Sequence, residues 1–224
     1  MNKDTERKKI ININHILLWC TLCIIIFLSS IFIHEIGHGF ANALRGVECS
    51  TGFNRVGDIN KYPRDVNFRE EYSAVSDSLL DFGVPITLIL AIIGSVLFYK
   101  IKGKGKLVVL GIAITNSIMR LIPCLYVILV PLFTGRIHNE DEYGTGLCLV
   151  KATGYSYLIY FPAFVSISIS IGCMICIYRK IRKDMSISKI CGYSFLTLFC
   201  FYITMIIANI LDNILRINWH AISF

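Results

Sequence analysis

Five long apolar segments dominate the sequence and limit what the chain can fold into. They lie at about 15–44, 79–99, 107–133, 155–178 and 190–213. About 20 apolar residues in a helix cross the roughly 30 Å hydrocarbon core of a bilayer, so each segment is long enough to span a membrane. A helix also satisfies its own backbone hydrogen bonds in lipid. The sequence therefore predicts an all-α, polytopic membrane protein with about five transmembrane helices and short interfacial pieces, one of them at 211–224.

The amino-acid composition agrees with a membrane protein and argues against a soluble or disordered chain. Hydrophobic residues make up 55% of the sequence and charged residues 17%, whereas soluble domains contain about 45–50% and about 25%. The longest polar stretch, at 45–78, is too short for a large separate domain. We therefore predict one membrane domain over residues 1–224.

Lysine and arginine concentrate at the N-terminus and in two short turns. Residues 1–14 and 100–106 hold four each, and residues 179–189 hold five. The positive-inside rule places such segments in the cytoplasm. We therefore predict a multi-pass protein of the cell membrane with a cytoplasmic N-terminus. The formal net charge of +7 is then an orientation signal rather than a sign of nucleic-acid binding.

Three local features carry separate predictions. The third span contains Pro123 and Pro131, so we expect it to be kinked or broken. Cys49 and Cys148 are the two cysteines in polar segments and could form a disulfide. The sequence Ala41-Asn42-Ala43 is similar to a signal-peptide cleavage site, but the apolar run before it exceeds the usual length of about 7–15 residues, so we expect no cleavage.

The end of the first span carries the sequence His34-Glu35-Ile36-Gly37-His38-Gly39. On a helix, residues four positions apart lie on nearly the same face, about 6 Å apart along the axis, so His34 and His38 can bind one zinc ion. Glu35 points about 100° away, where it can take a proton from a water on the metal and return it to a leaving amine. Ionisable groups at membrane depth are costly and usually functional. The alternative is that the helix leaves the membrane at Ile33 and that these side chains lie among lipid headgroups.

A catalytic zinc ion typically has three protein ligands and a water, so a third ligand is needed. The first and third spans run in the same direction, and the loop at 134–154 therefore emerges on the same side as the two histidines. This loop contains the richest acidic cluster in the sequence. Asp141 is the preferred third ligand. The other candidates are Glu142 and Glu140, then His138, and more remotely Asp212 and Asp81.

Two polar residues lie inside the third span. Asn116 and Arg120 are four residues apart and so share one face of the helix. An intramembrane arginine needs a carboxylate, backbone carbonyls or a water-filled cavity. We predict that Asn116 and Arg120 contribute to substrate binding, with Arg120 also organising the acidic loop. Packing between helices is an equally good interpretation of both residues.

The sequence resembles the site-2 protease family of intramembrane zinc metalloproteases. The resemblance rests on the motif at 34–39, on Phe82-Gly83-Val84-Pro85 before the second span, and on the stretch from Asn116 to Asp141. It implies that His34, His38 and Asp141 bind zinc. The usual Leu-Asp-Gly sequence is absent, and the 25-residue spacing from Asn116 to Asp141 is longer than is typical.

The resemblance implies a zinc-dependent peptidase that hydrolyses a peptide bond in or beside a membrane segment, with Glu35 activating the water and Asn116 holding the substrate. The substrate would be a membrane-embedded or membrane-adjacent polypeptide, and residues 51–60 could offer an edge strand to it. Two alternatives remain. One is a membrane zinc protease of another class that uses a glutamate as third ligand, and the other is a non-catalytic membrane regulator with the same fold.

Overall fold

The computed structural model describes residues 3–58, with the first ten as backbone only, together with residues 81–103, 105–137, 140–183, 185–212, 214–220 and 222. The helices are α1 (Lys3–Leu44), α2 (Gly83–Lys100), α3 (Gly105–Thr134), α4 (Asp141–Thr153), α5 (Phe161–Ile181) and α6 (Ile187–Leu211). A 3₁₀ turn over Ser156–Tyr160 leads into α5. All of these helices except α4 are long and apolar enough to cross a membrane, α1 from Ile13 onwards. The predicted all-α, polytopic membrane fold is confirmed.

The helices pack around α3, which contacts each of the other five. The main core lies between α1, α3 and α6. Phe27 and Ile31 of α1 are buried against Ile118 of α3 and Phe201 of α6. A second cluster joins α2, α3 and α5. Large apolar side chains such as Leu132 and Phe195 remain exposed on the outer faces, as expected of surfaces that contact lipid.

Helix α4 was not predicted, because the analysis of the sequence treated residues 134–154 as a loop. Asp141 and Glu142 in its first turn interact favourably with the positive end of the helix dipole. Gly154 ends the helix with a φ of 78°, a left-handed conformation that favours glycine. The segment is too short and too polar to stand out as a span, but its ends carry recognisable helix signals.

A small antiparallel sheet covers the C-terminal end of α1. It contains β1 (Cys49–Thr51), β2 (Val56–Asp58) and β3 (Ile217–Trp219), in the order β2-β1-β3. Strand β2 is therefore at an edge, as expected for part of the 51–60 segment, although residues 59 and 60 lie outside the described residues. Part of the predicted interfacial tail at 211–224 forms β3 instead.

The structure also bears on two other local predictions. Helix α3 is continuous through Pro123 and Pro131 rather than broken, since a proline removes only one backbone hydrogen bond, whereas a kink stays a prediction. Cys49 and Cys148 do not form a disulfide. Cys49 lies in β1, where its thiol contacts the carbonyl of Gly39, whereas Cys148 lies on α4.

Candidate metal centre

His34 and His38 lie on the inner face of α1, near the end that the small sheet covers. Their rings meet edge to face with centroids 4.4 Å apart, and the two Nε2 atoms are 3.0 Å apart. Both side chains are buried. The four-residue spacing in a continuous helix therefore points both Nε2 atoms at one position, as the sequence predicted.

Asp141 completes the cluster from the first residue of α4. Its Oδ2 atom lies 3.0 Å from Nε2 of His34 and 3.5 Å from Nε2 of His38. Donor atoms about 2.0–2.2 Å from a tetrahedral metal ion lie roughly 3.3–3.6 Å from one another. One observed distance is in this range and the other two, at 3.0 Å, are slightly shorter, so a small outward shift of the side chains would admit a common ion. Among the described residues, the side chains that could hold a metal ion together are those of His34, His38 and Asp141.

Nothing in the comparisons identifies a family. No protein-family model, curated protein or solved structure matches this chain. The chemistry of the three side chains and of their surroundings is therefore the basis for a functional assignment.

Arg120 positions the acidic end of α4. Its Nη1 atom lies 3.3 Å from Oδ2 of Asp141 and 3.4 Å from Oε1 of Glu142, and all three side chains are buried. Burial alone would raise the pKa of the Asp141 carboxyl. The adjacent imidazoles of His38 and His34 instead hold this pKa well below its usual range. A low pKa favours the carboxylate form of Asp141, which is the form that binds a metal.

Asp81 orients His38 from the side opposite the cluster. Its Oδ1 atom lies 2.7 Å from Nδ1 of His38 and also accepts a hydrogen bond of 3.0 Å from the backbone N–H of Gly83. Because Nδ1–H donates to this carboxylate, the lone pair of Nε2 faces the cluster. The sequence suggested Asp81 as a remote candidate ligand, but the structure places it behind a ligand.

Two glycines allow α2 to lie close to the cluster. A Cβ atom built on Gly83 would lie 2.6 Å from Nε2 of His38 and 2.9 Å from Cε1 of His34. A Cβ on Gly37 would lie 2.9 Å from the backbone nitrogen of Gly83. The start of α2 can therefore approach α1 only because both positions lack a side chain.

Glu35 follows His34 in α1 and carries a further buried carboxyl group. Its side chain is 6% exposed, and its Oε2 atom accepts no hydrogen bond from the described residues. An orphaned carboxyl oxygen in a buried position is costly unless a water or an ion meets it. The residue is therefore available for proton transfer beside the cluster.

The other candidate ligands have different surroundings. Glu142 pairs with Arg120. Asp212 forms an ion pair with Arg55 and accepts a hydrogen bond of 3.0 Å from the backbone N–H of Asn54. Burial and the charge of Asp141 raise the pKa of Glu140 to about 7, which weakens it as a ligand. His138 lies outside the described residues.

Asn116 is fully buried on the face of α3 that also carries Arg120. Its Nδ2 atom donates to the carbonyl of Ile112 at 2.9 Å, whereas its Oδ1 atom has no hydrogen-bond partner among the described residues. An unsatisfied carbonyl oxygen of this kind can accept a hydrogen bond from a bound molecule. The predicted contribution of Asn116 and Arg120 to substrate binding stays a prediction.

Proposed function

We propose that the protein is a zinc-dependent intramembrane peptidase, a divergent relative of the site-2 proteases. The observation that carries this proposal is the convergence of His34, His38 and Asp141 within 3.0–3.5 Å of one another in a buried site. Two imidazoles and one carboxylate are typical of catalytic zinc, which keeps a fourth position open. Because residue 83 is a glycine, no side chain from this position enters the space next to Nε2 of His38.

Glu35, Asp81 and Arg120 each have a separate role in the proposed reaction. When bound, zinc would supply a Lewis acid and lower the pKa of a water to about 7. Glu35 accepts a proton from the attacking water and later donates it to the leaving amine. Asp81 holds the ring of His38 in the required tautomer, and Arg120 fixes the position of Asp141.

The substrate that fits this location is a polypeptide in or beside the bilayer. A helical substrate hides its backbone carbonyls, so the segment to be cut must be extended. Strand β2 has an unpaired edge among the described strands and lies next to β1, which contacts α1. It can therefore add an extended peptide as a further strand.

The basic turns favour a cell-membrane protein with a cytoplasmic N-terminus, which puts the zinc site near the outer face. Green fluorescent protein fused to the N-terminus tests this orientation, because it becomes fluorescent in the cytoplasm but not after export through the general secretion pathway. A non-fluorescent fusion that is nevertheless produced and inserted would reverse the proposed orientation.

The decisive experiment compares Glu35→Gln with His34→Ala in protein reconstituted with single-span membrane polypeptides. We expect Glu35→Gln to retain about one zinc ion per chain and to lose cleavage, because only the proton acceptor is removed. His34→Ala should lose both zinc and cleavage. Zinc is measured by elemental analysis and cleavage by mass spectrometry of new N-termini.

Glu48→Gln is the matched control, since Glu48 is an exposed glutamate outside the cluster. It should leave both readouts unchanged. Cleavage by Glu35→Gln at the native rate would refute the peptidase proposal and favour a non-catalytic regulator.

A further inference from the structure

A cavity lies towards the opposite end of α1 from His34 and His38. It has a volume of about 490 Å³ and lies between α1, α3, α5 and α6. On α1 it is lined by His15 and Trp19. At 1.5 Å per residue, His15 lies about 28 Å from His34 along the helix axis. None of the candidate metal ligands lines the cavity.

Helices α3, α5 and α6 contribute mostly apolar side chains to the cavity wall. Ile114 of α3, Met174 of α5 and Leu198 of α6 are typical of the lining residues. The indole nitrogen of Trp19 donates to the hydroxyl of Thr197 at 3.0 Å, which satisfies the polar groups on that side. The interior thus offers contact surface for an apolar group.

The cavity exists because α5 and α6 are consecutive in the chain but do not pack closely together. In the part of the chain that the structure describes, α5 packs against α2 and α3, whereas α6 packs mainly against α1. A dry void of this size would forfeit many van der Waals contacts along its walls. In a bilayer, the material next to a gap between two helices is the acyl chains of lipids.

The mouth of the cavity is strongly basic. Where α5 ends and α6 begins, the cavity is lined by Tyr178, Ile181, Met185 and Ile190. The turn that these residues flank, at 179–189, contains five basic residues and one acidic residue. Arg182, Lys183 and Lys189 are exposed there. Clusters of basic residues next to membrane helices attract anionic headgroups.

We propose that this cavity binds one anionic phospholipid, with an acyl chain between α5 and α6 and the phosphate against Arg182, Lys183 and Lys189. The size argues for a lipid chain rather than for a partner helix. A helix about 10 Å across and 30 Å long occupies more than roughly 2000 Å³, several times the volume of this cavity. The binding site does not depend on the metal centre.

The test measures which lipid stays with the purified full-length protein. The protein is delipidated in mild detergent and then incubated with vesicles of equal parts phosphatidylglycerol and phosphatidylcholine. Retained lipid is identified by native mass spectrometry. We expect about one phosphatidylglycerol per chain, enriched at least about tenfold over phosphatidylcholine, since each basic residue near the membrane surface adds to the attraction.

Two pairs of variants test the position of the site. Ser194→Trp places a large side chain in the cavity and should abolish retention, whereas Ser168→Trp changes an exposed serine on α5 outside the cavity and should not. The double change Arg182→Glu and Lys183→Glu should remove the preference for phosphatidylglycerol. The same change of charge at Lys100 and Lys102, on the other basic turn, should preserve the preference.

The surface charge variants keep the test informative if Ser194→Trp fails to fold. Equal retention of the two lipids by the native protein would overturn the proposal, as would unchanged retention by Ser194→Trp. A stoichiometric polypeptide or a second copy of the chain that Ser194→Trp displaces, in place of lipid, would also overturn it.

Discussion

Both ring nitrogens of His38 have a polar contact. Nδ1 of His38 faces Asp81 at 2.7 Å, and Nε2 faces the other two candidate ligands. Carboxylate partners of this kind fix the ring and its tautomer and make the imidazole a better ligand. His34 differs, because its Nδ1 atom has no hydrogen-bond partner among the described residues. A carboxylate therefore fixes Nδ1 of His38, whereas no described residue does the same for Nδ1 of His34.

We expect Asp81→Ala to weaken zinc binding about 10- to 100-fold, because loss of the carboxylate frees the ring of His38. Zinc affinity is measured by competition with a chromogenic chelator. The isosteric Asp81→Asn should weaken binding less, since its amide oxygen can still accept the hydrogen bond from Nδ1. An affinity unchanged in Asp81→Ala would show that the ring needs no such support.

We expect Gly83→Ala to abolish zinc binding, because the added methyl group would lie 2.6 Å from Nε2 of His38. Gly172→Ala is the control. A Cβ atom at Gly172 meets nothing within 4 Å, and alanine favours the helix. Metal content after purification separates the two variants, and a Gly83→Ala protein with a full complement of zinc would contradict the geometry described above.

At the scale of secondary-structure elements, Arg120 links α3 to the start of α4 through ionic contacts. Its guanidinium group is the described cation that contacts both Asp141 and Glu142 at the start of α4. Removal of one partner from a buried ionic group leaves the other charges uncompensated. The position of the third ligand therefore depends on an ionic contact between two helices, in addition to the apolar packing of Tyr143 against Cys124 and Val127.

We expect Arg120→Met to destabilise the protein by about 3–5 kcal/mol. The measurement is thermal or denaturant unfolding in detergent, and the zinc content should fall with it. In a protein that already carries Glu142→Gln, the same substitution should cost less, because fewer charges are left unpaired. Equal losses in both backgrounds would mean that Arg120 and Glu142 act independently.

Sequence periodicity predicted the elements and residues that depend on local spacing. The apolar runs located the five spans, and the four-residue spacing placed His34 and His38 together. The direction of the spans made Asp141 the preferred third ligand. Helix α4 and strands β1 and β3 were missed because each is short, and short polar segments carry little periodic signal. The contacts of Asp81 and Gly83 depend on how α2 approaches α1, which spacing along the chain does not encode.

At the scale of the whole molecule, the candidate zinc ligands join the first long helix to a segment 107 residues later. A bound ion would therefore stabilise the arrangement of α1, α3 and α4 together, because a ligand that binds only the folded state raises its stability. The proposed lipid cavity lies towards the opposite end of α1, where α1 and α3 line it together with α5 and α6.

We expect removal of zinc by a chelator to lower the unfolding temperature of the native protein, and readdition of zinc to restore it. At a free zinc concentration 100 times the dissociation constant, the stabilisation would be about 2.7 kcal/mol. His38→Ala is the control, since its unfolding temperature should not respond to the chelator. A native protein that unfolds at the same temperature with and without chelator would indicate that no ion links these helices.

The position of β3 has a consequence for the timing of biosynthesis. The indole nitrogen of Trp219 donates to the hydroxyl of Thr51 at 2.8 Å, and both side chains lie where a Cβ atom on Gly39 would be. Residues 217–219 therefore form part of the wall beside the histidine helix. A ribosome has translated both histidines long before it reaches Trp219. This part of the wall beside Gly39 is therefore added late, after every candidate metal ligand has been translated.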